Sequence, residues 1–215
     1  MLQGPLLYEV NRHPMDTYTT IDKGAESQLT EKRSRFLAFA HHAADESEAK
    51  SIAAAYKKKY YDARHVCYAY AVGNRGETTR ANDDGEPSGT AGRPILGQIQ
   101  ARSLTYAIVV VVRYFGGVKL GTGPLGVAYK TAAADALDLC QLKECIMKQE
   151  FRIDVPYADA DVAMRFVKEA QADITQRDYT DSGTQLTISV RLDDEQALRD
   201  RLSHILSLTF LKEED

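Results

Sequence analysis

Leu104-Thr-Tyr-Ala-Ile-Val-Val-Val-Val-Arg-Tyr-Phe115 runs into Gly116-Gly-Val-Lys-Leu-Gly-Thr-Gly-Pro124, and then into Leu125-Gly-Val-Ala-Tyr-Lys-Thr-Ala-Ala-Ala-Asp-Ala-Leu-Asp-Leu139. The first segment is apolar at successive positions, which predicts a central strand covered on both faces. The last carries Leu125, Ala128, Ala132, Ala136 and Leu139 at helical spacing, with Pro124 suited to a first helical turn, where its missing donor is not needed. So many alanines on one stripe predict close packing on a sheet. The glycine-rich link between strand and helix is where backbone can approach a ligand.

Working outward, eleven of the fourteen glycines fall between Gly73 and Gly126. They cluster in this link and in a second loop, Asn82-Asp-Asp-Gly-Glu-Pro-Ser-Gly-Thr-Ala-Gly-Arg-Pro94. Two such loops bearing charged and hydroxyl side chains read as one built surface. Upstream, Met15–Ile21 and Arg33–Ala40 alternate as strands do. Asp45 followed by Glu48 matches a capping box, and Ala49, Ile52, Ala53, Tyr56 and Tyr60 continue it as an amphipathic helix over 46–60. Its last turn carries Lys57, Lys58 and Lys59, a phosphate patch or simply cations favoured by the helix dipole. His65–Val72 alternates, with Val66, Tyr68, Tyr70 and Val72 on one face and His65, Cys67, Ala69 and Ala71 on the other. From Phe151 the order strand, helix, strand, strand, helix predicts a split, ferredoxin-like second domain. The class is therefore α+β, with domains at 15–145 and 149–210. Residues 1–14 show no period and read as a tail.

Composition narrows the function. The 215 residues are 44% hydrophobic and 27% charged, ordinary values for a globular chain. Residues 1–148 hold 19 Lys/Arg against 16 Asp/Glu, whereas residues 149–215 hold 8 against 15. Non-specific nucleic-acid binding depends on a basic surface, so only the first part is suited to RNA. The acidic part points to a protein contact. Cys67, Cys140 and Cys145 are odd in number and lack CxxC spacing, so neither a disulfide framework nor a zinc site is signalled. The longest apolar run is too short to span a bilayer, and no leader pattern opens the chain. A cytoplasmic protein with no membrane partner is expected.

The loops supply the candidate chemistry. Gly121-Thr-Gly-Pro-Leu-Gly126 matches a dinucleotide fingerprint in form, but Pro124 removes one amide donor and no ribose-binding acid follows, so no cofactor is expected. A generic anion site at the helix N-terminus, beside Lys119 and Thr122, remains. Asp83, Asp84 and Glu86 lack the spacing of a calcium loop and read as turn residues that cap amides; no metal is expected. Ser88 is not in nucleophile-elbow spacing. Arg113 interrupts an apolar strand and needs a carboxylate: an ion pair with Asp83, Asp84 or Glu86, or presentation to a bound anion, stay open as alternatives. Arg93 has the same two readings. His65 fits a hydrogen-bonded strand residue better than a metal ligand.

Ser34-Arg-Phe36, Ala63-Arg-His65-Val-Cys67-Tyr-Ala69, the string Asp83–Pro94 and the string Val112–Leu125 resemble the YigZ/IMPACT family over residues 15–140, and residues 149–210 are similar to the extra C-terminal domain of its bacterial members. The resemblance implies an N-domain like the second domain of the fifth small-subunit ribosomal protein, a mixed sheet with two helices. It likewise implies a C-domain like the fifth domain of elongation factor G. It further implies a non-enzymatic binding module in translation or its regulation, contacting RNA or a ribosome-associated or regulatory protein through the N-domain loops. The binding residues expected are His65, Asp83, Asp84, Glu86, Ser88, Thr90, Arg93, Arg113, Tyr114, Lys119 and Thr122, with no catalytic residue. The alternative is an enzyme on a phosphorylated or carboxylated small molecule held at the same loops, with His65 or Asp84 as its base.

Overall fold

The computed structural model describes residues 16–212; the tail expected at residues 1–14 lies outside them. The chain divides into two compact units, one spanning Tyr18–Cys145 and the other joining Ile146 onward to Asp16 and Thr17.

The first unit contains β1 (Thr17–Lys23), β2 (Ala25–Glu31), β3 (Ser34–His42), α1 (Glu46–Lys59), β4 (His65–Val72), β5 (Thr78–Asn82), α2 (Gly92–Ala101), β6 (Ala107–Tyr114), α3 (Thr122–Asp138) and β7 (Gln141–Ile146). Five strands form one sheet in the order β2-β3-β6-β4-β5, and β1 pairs with β7 in a separate ribbon. Every pairing in the five-stranded sheet is antiparallel. This corrects the mixed sheet expected from the resemblance. The helix count is also corrected: α2 is a third helix, in a stretch rich in Gly and Pro that carries no helical signal at its start.

β6 is the middle strand, and seven of its eight residues are buried. One face of the sheet holds Phe36, Cys67, Ala69, Val109 and Val111 under α2 and α3; the other holds Phe39, Val66, Tyr70, Val110 and Val112 under α1. Burial on both faces is what its continuous apolar run requires. At the start of α1 the Asp45 carboxylate accepts the Glu48 amide at 2.8 Å, and the Glu48 carboxylate reaches back to the Ala44 amide. The first bond satisfies a donor that the first turn leaves open, and the second holds the residue before the cap.

The second unit contains β8 (Lys148–Pro156), α4 (Ala160–Glu169), β9 (Asp173–Tyr179), β10 (Gly183–Arg191), α5 (Glu195–Leu202) and β11 (Thr209–Leu211). Its antiparallel sheet runs β11-β8-β10-β9, the split β-α-β plan, with β11 completing the order read from the sequence. Phe151, Ile153, Val155, Leu186 and Ile188 meet Val167, Leu198 and Leu202 of the helices in its core. Arg191 forms two hydrogen bonds to the buried carboxylate of Asp16, tying the start of the described chain to β10.

Candidate functional site: a cationic cleft at the glycine-rich loops

The strand register builds the site's floor. Arg113 of β6 lies opposite Phe36 of β3 on one side and His65 of β4 on the other. All three side chains therefore share the α2/α3 face of the sheet. Beyond Tyr114 the chain turns past Ser34, whose hydroxyl accepts the Gly116 amide at 3.2 Å. A Cβ at Gly116 would collide with the backbone of Arg33 and Ser34, so only glycine allows this approach. Gly121 then adopts φ 83° and ψ 158° and starts α3 without a side-chain cap. That backbone region is open essentially to glycine alone. Pro124 falls in the first turn, and the amides of Thr122 and Gly123 precede the intrahelical ladder.

The other loop is organised from within. The Asp83 carboxylate accepts the amides of Gly89, Ala91 and Gly92 at 2.8, 3.0 and 2.8 Å, and so caps α2 from nine residues upstream. Burial alone would raise the Asp83 carboxyl; the three amides and the Arg93 charge outweigh it and hold it below its ordinary value. Asp84 sits at φ 41° and Gly85 at φ 86°. The Asp84 carboxylate accepts the Val66 amide at 2.6 Å and pairs with Lys57 at 2.5 Å, while its carbonyl accepts from His65 Nδ1 at 2.8 Å. Thr90 donates to the Pro87 carbonyl.

This left-handed turn directs Glu86 inward. Its Oε1 accepts from Arg113 Nη1 at 2.6 Å and from the Tyr129 hydroxyl of α3 at 2.9 Å, and its Oε2 lies 3.7 Å from His65 Nε2. The Glu86 and Arg113 side chains are only 4% and 6% exposed. Arg113 Nη2 also donates to Ser34 at 3.3 Å, but its Nε has no partner among the described residues. Its guanidinium lies 5.4 Å from the Phe36 ring and 5.6 Å from that of Phe115. Behind it, the Cys67 sulfur is 3.3 Å from the Tyr129 hydroxyl and 3.1 Å from the Asp83 carbonyl. Burial pushes the Cys67 thiol and the Tyr129 phenol far above their ordinary values, so neither is poised as a nucleophile or base.

In front of this network lies a cleft of about 450 Å³, lined by Arg64, His65, Glu86, Pro87, Arg113, Phe115, Lys119, Leu120, Gly121, Thr122 and Leu125. The two glycine-rich segments thus meet in space. Three cations face one carboxylate, and that carboxylate is already matched by Arg113. Of the residues expected to bind, His65, Glu86, Arg113, Lys119 and Thr122 line the cleft. Asp83, Asp84 and Thr90 shape the loop behind it. Ser88 and Arg93 are exposed and do not line it. Tyr114 lies on the opposite face of β6, donating to Asp62 at 2.9 Å under Arg35. Sequence reasoning passed over Arg64, Phe115 and Tyr129. Only Tyr129 had a signal, since a hydroxyl-tipped ring on a buried alanine stripe must find a partner. No group of three His, Cys, Asp or Glu side chains suited to a metal occurs among the described residues, and no described helix is long and apolar enough to cross a membrane.

Comparison with known proteins places this architecture. The profile of the Impact N-terminal domain matches residues 32–137, and that of a domain of unknown function, DUF1949, matches residues 153–207. YvyE of Bacillus subtilis is 39% identical over 58% of this chain and 57% of its own length. An IMPACT family member of Haemophilus influenzae is 33% identical over 69% and 73%, and YigZ of Escherichia coli 31% over 69% and 74%. A solved structure described only as a hypothetical protein superposes with a TM-score of 0.70 at 26% identity, covering 94% of this chain and 99% of that one. The two-domain translational regulator Yih1 is more distant, at 25% identity and a TM-score of 0.37. Two profiles in series, with relatives matched across most of their length, make the chain a member of the IMPACT family in its bacterial, YigZ-like two-domain form.

Proposed function

We propose that this chain is a non-enzymatic binding module of translation or its control, which grips RNA through the cleft of its N-terminal part. The observation that carries this reading is the composition of the cleft: Arg64 and Lys119, which have no carboxylate partner among the described residues, the uncapped amides of α3, and the exposed ring of Phe115 at one wall. Cations with a stacking surface are what a phosphate-and-base ligand requires. The groups an enzyme would need are engaged elsewhere: His65 Nδ1 on a backbone carbonyl, Asp84 on an amide and Lys57, Cys67 in the core. Translation is the setting the family resemblance implies, along with likenesses to a ribosomal-protein domain and an elongation-factor domain. The working units in this reading are residues 15–145 and 149–210, in the cytoplasm, with the acidic second unit available for a protein contact.

Ribosome co-sedimentation and RNA crosslinking test the proposal. The protein is expected in RNA-bound fractions, and Lys119→Ala or Arg64→Ala should shift it to the free pool. Its complete absence from those fractions would overturn the reading. A cleft of about 450 Å³ also has the volume of a small-molecule site, which favours the second reading, an enzyme on a phosphorylated or carboxylated metabolite. A thermal-shift screen separates the two, because a ligand at about 100 times its dissociation constant adds roughly 2.7 kcal/mol. Silence across nucleotides, phosphate esters and amino acids would remove the enzyme reading.

A further inference from the structure

The cleft is open to solvent in front and closed by buried side chains behind. Behind Arg113 the space is filled by Glu86, Ser34, Tyr129 and Cys67, all buried. Arg113 itself is only 5% exposed, yet it lines the wall and keeps its Nε unpartnered among the described residues. Charge separates a terminal phosphate from an internal one. With Arg113 matched by Glu86, Lys119 and Arg64 remain, together with the positive end of α3, and a phosphomonoester brings close to two negative charges where a diester brings one. Phe115, 42% exposed and backed by the Arg113 guanidinium, offers a face to the adjoining base.

From this, and resting on the RNA-binding reading, we propose that the cleft recognises the terminal phosphomonoester of single-stranded RNA, with the first base stacked on Phe115. Fluorescence anisotropy with the full chain tests it on one sequence of about twelve nucleotides, prepared with a 5′-phosphate, with a 3′-phosphate, or with hydroxyls at both ends. At least one phosphorylated form should bind about tenfold more tightly than the hydroxyl form, and the stronger of the two identifies the end. Lys119→Ala and Phe115→Ala, both surface changes, should abolish that preference, while Lys130→Ala on the exposed side of α3 should leave it intact. Equal affinity for all three RNAs overturns the terminal-phosphate assignment and leaves RNA binding standing. A preference that survives both Lys119→Ala and Phe115→Ala places the terminal site elsewhere and overturns the assignment too. No binding to any of the three overturns this assignment and the RNA reading together.

Discussion

Glu86 is the residue on which the cleft depends. One carboxylate matches the guanidinium of β6, receives the phenol of α3 and faces the imidazole of β4, all where water is excluded. Removing one partner of a buried pair leaves the other charge uncompensated, so Glu86→Gln should lower stability by about 3 kcal/mol. Replacing both, as in Glu86→Gln with Arg113→Met, should recover most of that loss, because the cost lies in the orphaned charge. Urea unfolding midpoints read both variants. Asp83 acts differently, as an internal cap. Its carboxyl is depressed in the folded protein, so its contribution is complete above the unfolded value, about 3.9, and disappears as pH falls through the lower folded value. Asp83→Asn should therefore cost about 2 kcal/mol at neutral pH, and the gap to the parent should close in acid. A gap that stays constant down to pH ~2 would mean that charge has no part in the cap.

At the scale of elements, two kinds of glycine can be told apart. Gly97 lies within α2 with nothing within 4 Å of its virtual Cβ, so Gly97→Ala should stabilise the helix by roughly 0.5–1 kcal/mol. Gly116 is pressed against β3 backbone, and Gly116→Ala must push the loop away from Ser34, costing about 2 kcal/mol or more. Thermal melts should move in opposite directions. The elements that sequence reading found were those whose burial is periodic: β6 with both faces covered, α1 with its cap, α3 with its alanine stripe. Those it passed over have no such pattern. β5 is an edge strand, mostly exposed, and β2 alternates between half-buried and exposed. α2 begins with Gly92 and Pro94, and its cap is Asp83, too far upstream to be read as one.

For the whole molecule, charge is segregated. The first 148 residues are mildly basic and the remainder acidic, so in the RNA-binding reading proposed above the affinity should arise from a few well-placed cations. Two spare cations predict a shallow salt dependence, with a log–log slope of about −1.4 for a single strand. Lys119→Ala should reduce its magnitude by about 0.7. A slope several times steeper would point to a broad basic surface instead of the cleft. The sequence by itself determined the α+β class, the central strand, the two glycine-rich loops and the family, because apolar periodicity and glycine placement are local properties. Only the tertiary structure decided which of Asp83, Asp84 and Glu86 meets Arg113, and that Phe115 lines the cleft whereas Tyr114 does not. Three carboxylates within four positions are chemically alike. What separates them is a left-handed turn at Asp84 and Gly85 that sends one inward, and the alternation of β6 that sends neighbouring side chains to opposite faces.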